Sequence, residues 1–147
     1  SRAPAGPNAA STPSATGNAA WWHAKLDVQG VRLDLAHHGR MGQRPWTKQN
    51  VTNALALEIF TEHHLRGQPH PHLAIRSHFH RFADTFTSCP TRVIQTPAWQ
   101  LATAYVHRVA PESLADIGGV IITITDGTYT VEPVLYTPTA PTPWRPR

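Results

Sequence analysis

Leu33-Asp34-Leu35-Ala36-His37-His38-Gly39 and, further along, Leu73-Ala74-Ile75-Arg76-Ser77-His78-Phe79-His80 are two short apolar runs that each give out into histidines. Short apolar runs bounded by turn-forming residues read as strands. The two segments therefore place histidines at the ends of neighbouring strands, where side chains distant in sequence converge. Neutral imidazole binds zinc, manganese, iron or nickel through one ring nitrogen, so the pattern predicts a metal site. Of the ten histidines, His63, His64, His70 and His72 stand in polar surroundings typical of helix ends and loops and read as solvent-facing side chains.

Upstream of the first histidine pair, Leu26, Val28, Val31, Leu33 and Leu35 alternate about Gln29-Gly30, the pattern of a β-hairpin ending at His37. Gly39 and Gly42 punctuate the loop that follows, and a helix over residues 47–65 departs from it. Val51, Leu55 and Ile59, with Ala54 and Leu65 nearby, form its apolar stripe, while Lys48, Asn53, Glu58 and Glu62 take the solvent side. Such a helix covers a sheet. The segment from Arg66 to His72 holds two prolines, cannot stay helical, and feeds the strand that presents His78 and His80. Arg92-Val93-Ile94-Gln95-Thr96 reads as a further strand, and Pro97-Ala98-Trp99-Gln100 as a turn or a ligand-facing loop, with Trp99 either filling the core or facing the ligand. Gly119 to Thr125, the Asp126-Gly127 turn and Thr128 to Tyr136 form the clearest hairpin, because Asp-Gly supplies the positive backbone angles such a turn needs.

A chain of 147 residues with 40% hydrophobic residues has material for one domain. Residues 1–20 contain no large apolar side chain and read as a disordered linker or insertion; residues 21–137 read as the ordered part, and 138–147 as a Pro/Thr-rich tail. The formal charge of +4 is carried mainly by arginine, which suits bidentate contact with phosphate or carboxylate. Cys89 is the single cysteine, which excludes an intrachain disulfide and the Cys-X-X-Cys pairs of zinc fingers and thioredoxin-like proteins. No apolar run approaches the eighteen or so residues of a membrane span, so no membrane partner is expected. The lone cysteine and the missing export signal predict a cytoplasmic protein.

The two histidine segments resemble motifs of the calcineurin-like metallophosphoesterases, in which one histidine follows a strand and a Gly-His-X-His segment comes later. Ala36-His37-His38-Gly39 is similar to the first motif and Ser77-His78-Phe79-His80 to the second, with serine in place of glycine. The order that follows, a strand, a Pro-containing loop and a closing hairpin with Gly118-Gly119 and Asp126-Gly127, is also similar to the family's C-terminal part. The resemblance spans residues 22 to 136 and implies an α/β fold: the C-terminal half of an αββα two-sheet sandwich, with a mixed sheet, one covering helix and a C-terminal β-hairpin. It implies a dinuclear centre of two divalent metals (manganese, iron, zinc or nickel) about 3.5 to 4 Å apart, which activates water to hydrolyse a phosphomonoester or phosphodiester. By motif position His37 and His78 would bind one metal and His80 the other, with His38 the rival of His37, because adjacent side chains on a regular strand face opposite ways. Arg40, Arg76 or Arg81 would add charge against the phosphate.

The family's earlier motifs, Asp-X-His, Gly-Asp and Gly-Asn-His followed by an acid, do not occur here. They carry the bridging aspartate and the histidine proposed as general acid. The resemblance therefore implies the C-terminal portion of a longer enzyme, inactive alone, whose partner is the upstream half of the same protein and whose phosphate-ester substrate includes nucleic acid among its options. Two other readings compete. A metallo-β-lactamase-like hydrolase or nuclease also has His-His-Gly after a strand, but its His-X-His-X-Asp-His motif is absent. A non-catalytic module would use arginines and Trp21, Trp22, Trp46 and Trp99 to engage nucleic acid or protein, although the basic residues are scattered rather than clustered.

Overall fold

The computed structural model describes residues 23–42, 44–101, 108 and 115–136. The expectations for residues 1–20, for Trp21 and Trp22, and for the tail 138–147 lie outside the described residues. Strands β1 (His23–Val28) and β2 (Val31–His38) form the predicted hairpin, closed by Gln29 and Gly30, whose φ values of 49° and 82° match the two positive angles of a type I′ turn. A 3-10 turn (Pro45–Thr47) leads into α1 (Lys48–Leu65), and then come β3 (Leu73–Ser77), β4 (Ala83–Asp84), β5 (Arg92–Gln95), β6 (Ile117–Thr125) and β7 (Thr128–Tyr136).

Five strands make one mixed sheet in the order β1-β2-β3-β5-β4; β6 and β7 make a separate two-stranded ribbon. The β2–β3 and β3–β5 pairs are parallel, so β2, β3 and β5 all end on the same side of the sheet. The parallel pair β2–β3 requires a crossover, and α1 supplies it. Gly67 terminates that helix at φ 62°, with its N–H on the His64 carbonyl (3.0 Å) and the Gln68 N–H on the His63 carbonyl (2.9 Å). These are the two bonds of a Schellman motif.

α1 packs on the β3–β5 part of the sheet, where Leu55 and Ala56 meet Ala74 and Val93, with Ile59 and Cys89 at the margin. Its buried face differs from the expected stripe. Thr52, Leu55 and Ala56 are the buried helical residues, Val51 is only half-buried, and Leu65 faces solvent. A threonine can lie inward because its hydroxyl donates to the Lys48 carbonyl at 2.8 Å and leaves no unsatisfied donor.

The ribbon β6–β7 is the predicted hairpin, turned at Asp126 (φ 47°) and Gly127 (φ 77°). Its turn meets the first hairpin's turn: the Asp126 N–H lies 3.2 Å from the Gln29 side-chain oxygen. At its other end Gly118 donates to the Ala98 carbonyl at 3.1 Å, and Asp116 donates its N–H to the His80 carbonyl at 2.8 Å while accepting from the Phe82 N–H at 2.6 Å. Trp99 is 72% exposed and leans on Tyr136, so it is not a core residue.

Candidate metal centre

The carboxyl ends of β2 and β3 meet side by side, the position at which open α/β sheets bind ligands. At that edge the ladder breaks its register: Ala36 faces Arg76 and His38 faces Ser77, so His37 is one extra residue on β2. Such a bulge suspends the alternation of side chains. Strict alternation predicts that only one of His37 and His38 faces the site, whereas the bulge turns both rings toward His78. Potential ligand atoms of His37, His38 and His78 all lie within 4.8 Å of one another. Among the described residues this is the only such group of three.

His37 Nε2 lies 3.2 Å from His78 Nδ1. Two nitrogens bound to one metal at about 2.0–2.1 Å with a tetrahedral angle would stand roughly 3.3 Å apart, so this pair already has ligand spacing. In the metal-free protein one of the two rings donates its N–H to the other; binding requires the donor ring to move that proton to its other nitrogen. The His38 ring sits 4.5 Å from that of His78 and 4.9 Å from that of His37, centre to centre. Burial, followed by the neighbouring His38, His37 and His80, holds the His78 ring below the usual histidine range. It therefore stays neutral at physiological pH and keeps a lone pair for a metal. The residues present fit a divalent cation.

The segment after β3 is held in an uncommon conformation. His78 and His80 have φ of 80° and 54°, in the left-handed region that non-glycine residues seldom occupy and that clusters at functional sites. Ser77 Oγ, 2.9 Å from Thr96 Oγ1, ties this turn to the end of β5, and the Asp116 bond to the His80 carbonyl holds its far side. His80 is half-buried and lies outside the three-histidine group.

The arginines divide. Arg76 is buried and paired with Asp34 at 2.7 Å, and also donates to the Asp34 carbonyl at 3.0 Å, so its guanidinium is committed to the sheet interior instead of to a phosphate. Arg40 pairs with Glu58 across the loop, in an exposed ion pair. Arg81 is half-buried and makes no hydrogen bond or ion pair among the described residues, which leaves it as the arginine free to meet an anion.

Sequence reasoning missed the support beneath the site. Asp34, buried within β2, accepts from both Arg76 and His23 (2.9 Å), and Asp84 binds Arg92 through two bonds of 2.9 and 2.6 Å. Gly39 is needed for close approach: a Cβ there would fall 2.4 Å from Gln95 Oε1 and 2.8 Å from Arg76 Cβ. Gln95 in turn donates to the Arg40 carbonyl at 2.6 Å, so the loop after the two histidines is pinned onto β5. A glycine directly after His37-His38 was the one signal of this in the sequence.

No family model and no curated protein matches the chain. Two solved structures are similar to it in outline. One is the Thermotoga maritima protein TM1076, solved by solution NMR, with 18% identity and a TM-score of 0.40 over 78% of this chain and 54% of that one. The other is a single mutant of Vps29 from Entamoeba histolytica, solved by crystallography, with 10% identity and a TM-score of 0.45 over 79% of this chain and 61% of that one. The chain thus spans 54% and 61% of the length of these two structures.

Proposed function

We propose that this chain carries one half of the metal centre of a phosphoesterase of the calcineurin-like kind, hydrolysing phosphomonoesters or phosphodiesters. The observation that supports it is the 3.2 Å approach of His37 to His78 at the ends of two adjacent parallel strands, with His38 inside the same group. His37 and His78 would hold one divalent ion, and His80, on the far side of the same turn, the second. When bound, such ions lower the pKa of a water molecule and draw charge from the phosphoryl oxygens. The chain's own contribution is to present imidazoles at adjacent strand ends, to fix the turn after β3 through Ser77 and Asp116, and to offer Arg81 to the substrate's negative charge. The bridging aspartate and the general acid would come from an upstream half of the same protein. His78 beside His37 favours this reading over the β-lactamase-like one, which gives the His78/His80 pair no task.

Calorimetric titration of the chain with zinc or manganese tests the proposal. His78→Ala is expected to weaken binding at least tenfold; affinity unchanged by His78→Ala would end it. Robust hydrolysis of p-nitrophenyl phosphate by the 147-residue chain, abolished by His78→Ala, would show that no upstream half is required.

A further inference from the structure

A second collection of basic side chains lies toward the opposite end of β2. Arg32 stands six residues before His38, about 20 Å away along an extended strand. Here a cavity of about 450 Å³ opens between the β1–β2 hairpin, the last turns of α1 and the segment that follows it, lined by Lys25, Arg32, His63 and Gln68 together with Pro69 and Pro71. Its size falls within the range of about 300–1,000 Å³ of small-molecule sites.

The hydrogen bonds decide the charge of this cavity. His63 Nδ1 lies 2.8 Å from the Ile59 carbonyl, which can only accept, so Nδ1 carries the proton. His63 Nε2 then has a lone pair, which takes one proton of the Lys25 ammonium at 3.1 Å. The ammonium keeps two further donors. Arg32 uses Nε on the His70 carbonyl at 2.7 Å, and its two terminal nitrogens have no partner among the described residues.

Two carboxylates also border the cavity, and across the β1–β2 ladder Asp34 stands opposite Lys25 and Asp27 opposite Arg32. Asp34 is already matched by Arg76 at 2.7 Å and His23 at 2.9 Å, and Asp27 accepts the Gly30 N–H at 2.9 Å within its own turn. Neither Lys25 nor Arg32 has a carboxylate within ion-pair distance among the described residues. Burial and then the charge of Arg32 hold His70 and His72 below the usual histidine range, while Asp27 pulls His72 the other way.

We propose that this cavity binds an oxyanion carried on an apolar body, a phosphate monoester or a carboxylate of aromatic-acid size. Lys25 and Arg32 take the oxyanion, Gln68 adds an amide donor, and Pro69 and Pro71 cover the apolar part. The site stands apart from the three histidines and does not depend on a metal.

Calorimetric titration with phenyl phosphate and with benzoate, both in EDTA, tests this on the wild type, Lys25→Met, Lys25→Arg and His78→Ala. The wild type and His78→Ala are expected to bind alike, Lys25→Met at least tenfold more weakly, and Lys25→Arg close to the wild type. Preference for phenyl phosphate would assign the phosphate ester, and preference for benzoate the carboxylate. Unaltered affinity in Lys25→Met, loss of binding in His78→Ala, or no saturable binding of either probe to the wild type would overturn the proposal. Retention of the wild-type amide NMR spectrum in Lys25→Met separates loss of the site from loss of the fold.

Discussion

The five-stranded sheet and the two-stranded ribbon are built from similar residues and have opposite fates. β6 and β7 are the longest strands, at nine residues each, rich in Val, Ile, Thr and Tyr. Yet their one buried residue is Gly118, and Ile121, Leu135 and Tyr136 face solvent. β3 and β5 have five and four residues and hold Leu73, Ala74, Val93 and Ile94 fully buried. Strand propensity and a good turn suffice to shape a ribbon, whereas a core needs strands with covered neighbours and a helix on one face. Local sequence decides the first and tertiary packing the second.

The largest expected effect separating the two regions comes from Asp34. Its removal strands Arg76, whose side chain is only 8% exposed, and a buried pair broken on one side costs about 3–5 kcal/mol. Urea unfolding of Asp34→Ala measures this, and a midpoint equal to the wild type would mean that Arg76 finds water or another partner. Next, Ile94→Ala should cost about 2–5 kcal/mol as a core truncation, while Ile121→Ala on the ribbon should stay within about 0.5 kcal/mol. Equal costs would erase the distinction between sheet and ribbon.

Gly118→Ala attacks the ribbon alone. Gly118 has φ 147°, and a Cβ there would sit 2.0 Å from the Val134 carbonyl oxygen, so the backbone must shift, at a cost on the order of 1–3 kcal/mol. Hydrogen exchange should quicken in β6 and β7 and stay slow in β3 and β5; faster exchange everywhere would show that the sheet leans on the ribbon. The smallest effect is set by pH. His70 and His72 titrate below the usual value of about 6.5 when folded, so the unfolded chain binds more protons as pH falls past that value. Their contribution to stability is intact above about pH 6.5 and declines on acidification below it. Lys25→Met should leave this slope in place, and a melting temperature flat from about pH 7 to about pH 5 would contradict it.

Most of the architecture was legible from the residues. The two hairpins followed from Gln29-Gly30 and Asp126-Gly127 between alternating strands, and the helix ended where Gly67 and the prolines require. The two-residue β4 was not legible, since Ala83-Asp84 gains its strand geometry from pairing with β5 and no repeating pattern fits in so short a span. At the candidate site, the strand-end pattern marked the pairs His37-His38 and His78/His80, and the resemblance singled out His37, His78 and His80, of which His37 and His78 lie together and His80 lies outside the group. That His38 joins them was hidden, because the bulge arises from how β2 meets β3. Arg76 read as a candidate for the phosphate because its partner, Asp34, lies far away in sequence and alternates into the interior only once the register is known.

The bulge at His37 also makes the site a matter of chain length. Deleting a single residue between Ala36 and Gly39 would let β2 run on beside β3 in unbroken step, and alternation would send the remaining histidine and its neighbour to opposite faces. Adding one would push the second imidazole past the edge. The cluster therefore tolerates changes of side chain at Ala36 more readily than any change in count, and an insertion or deletion of one residue there is equivalent to losing a ligand outright.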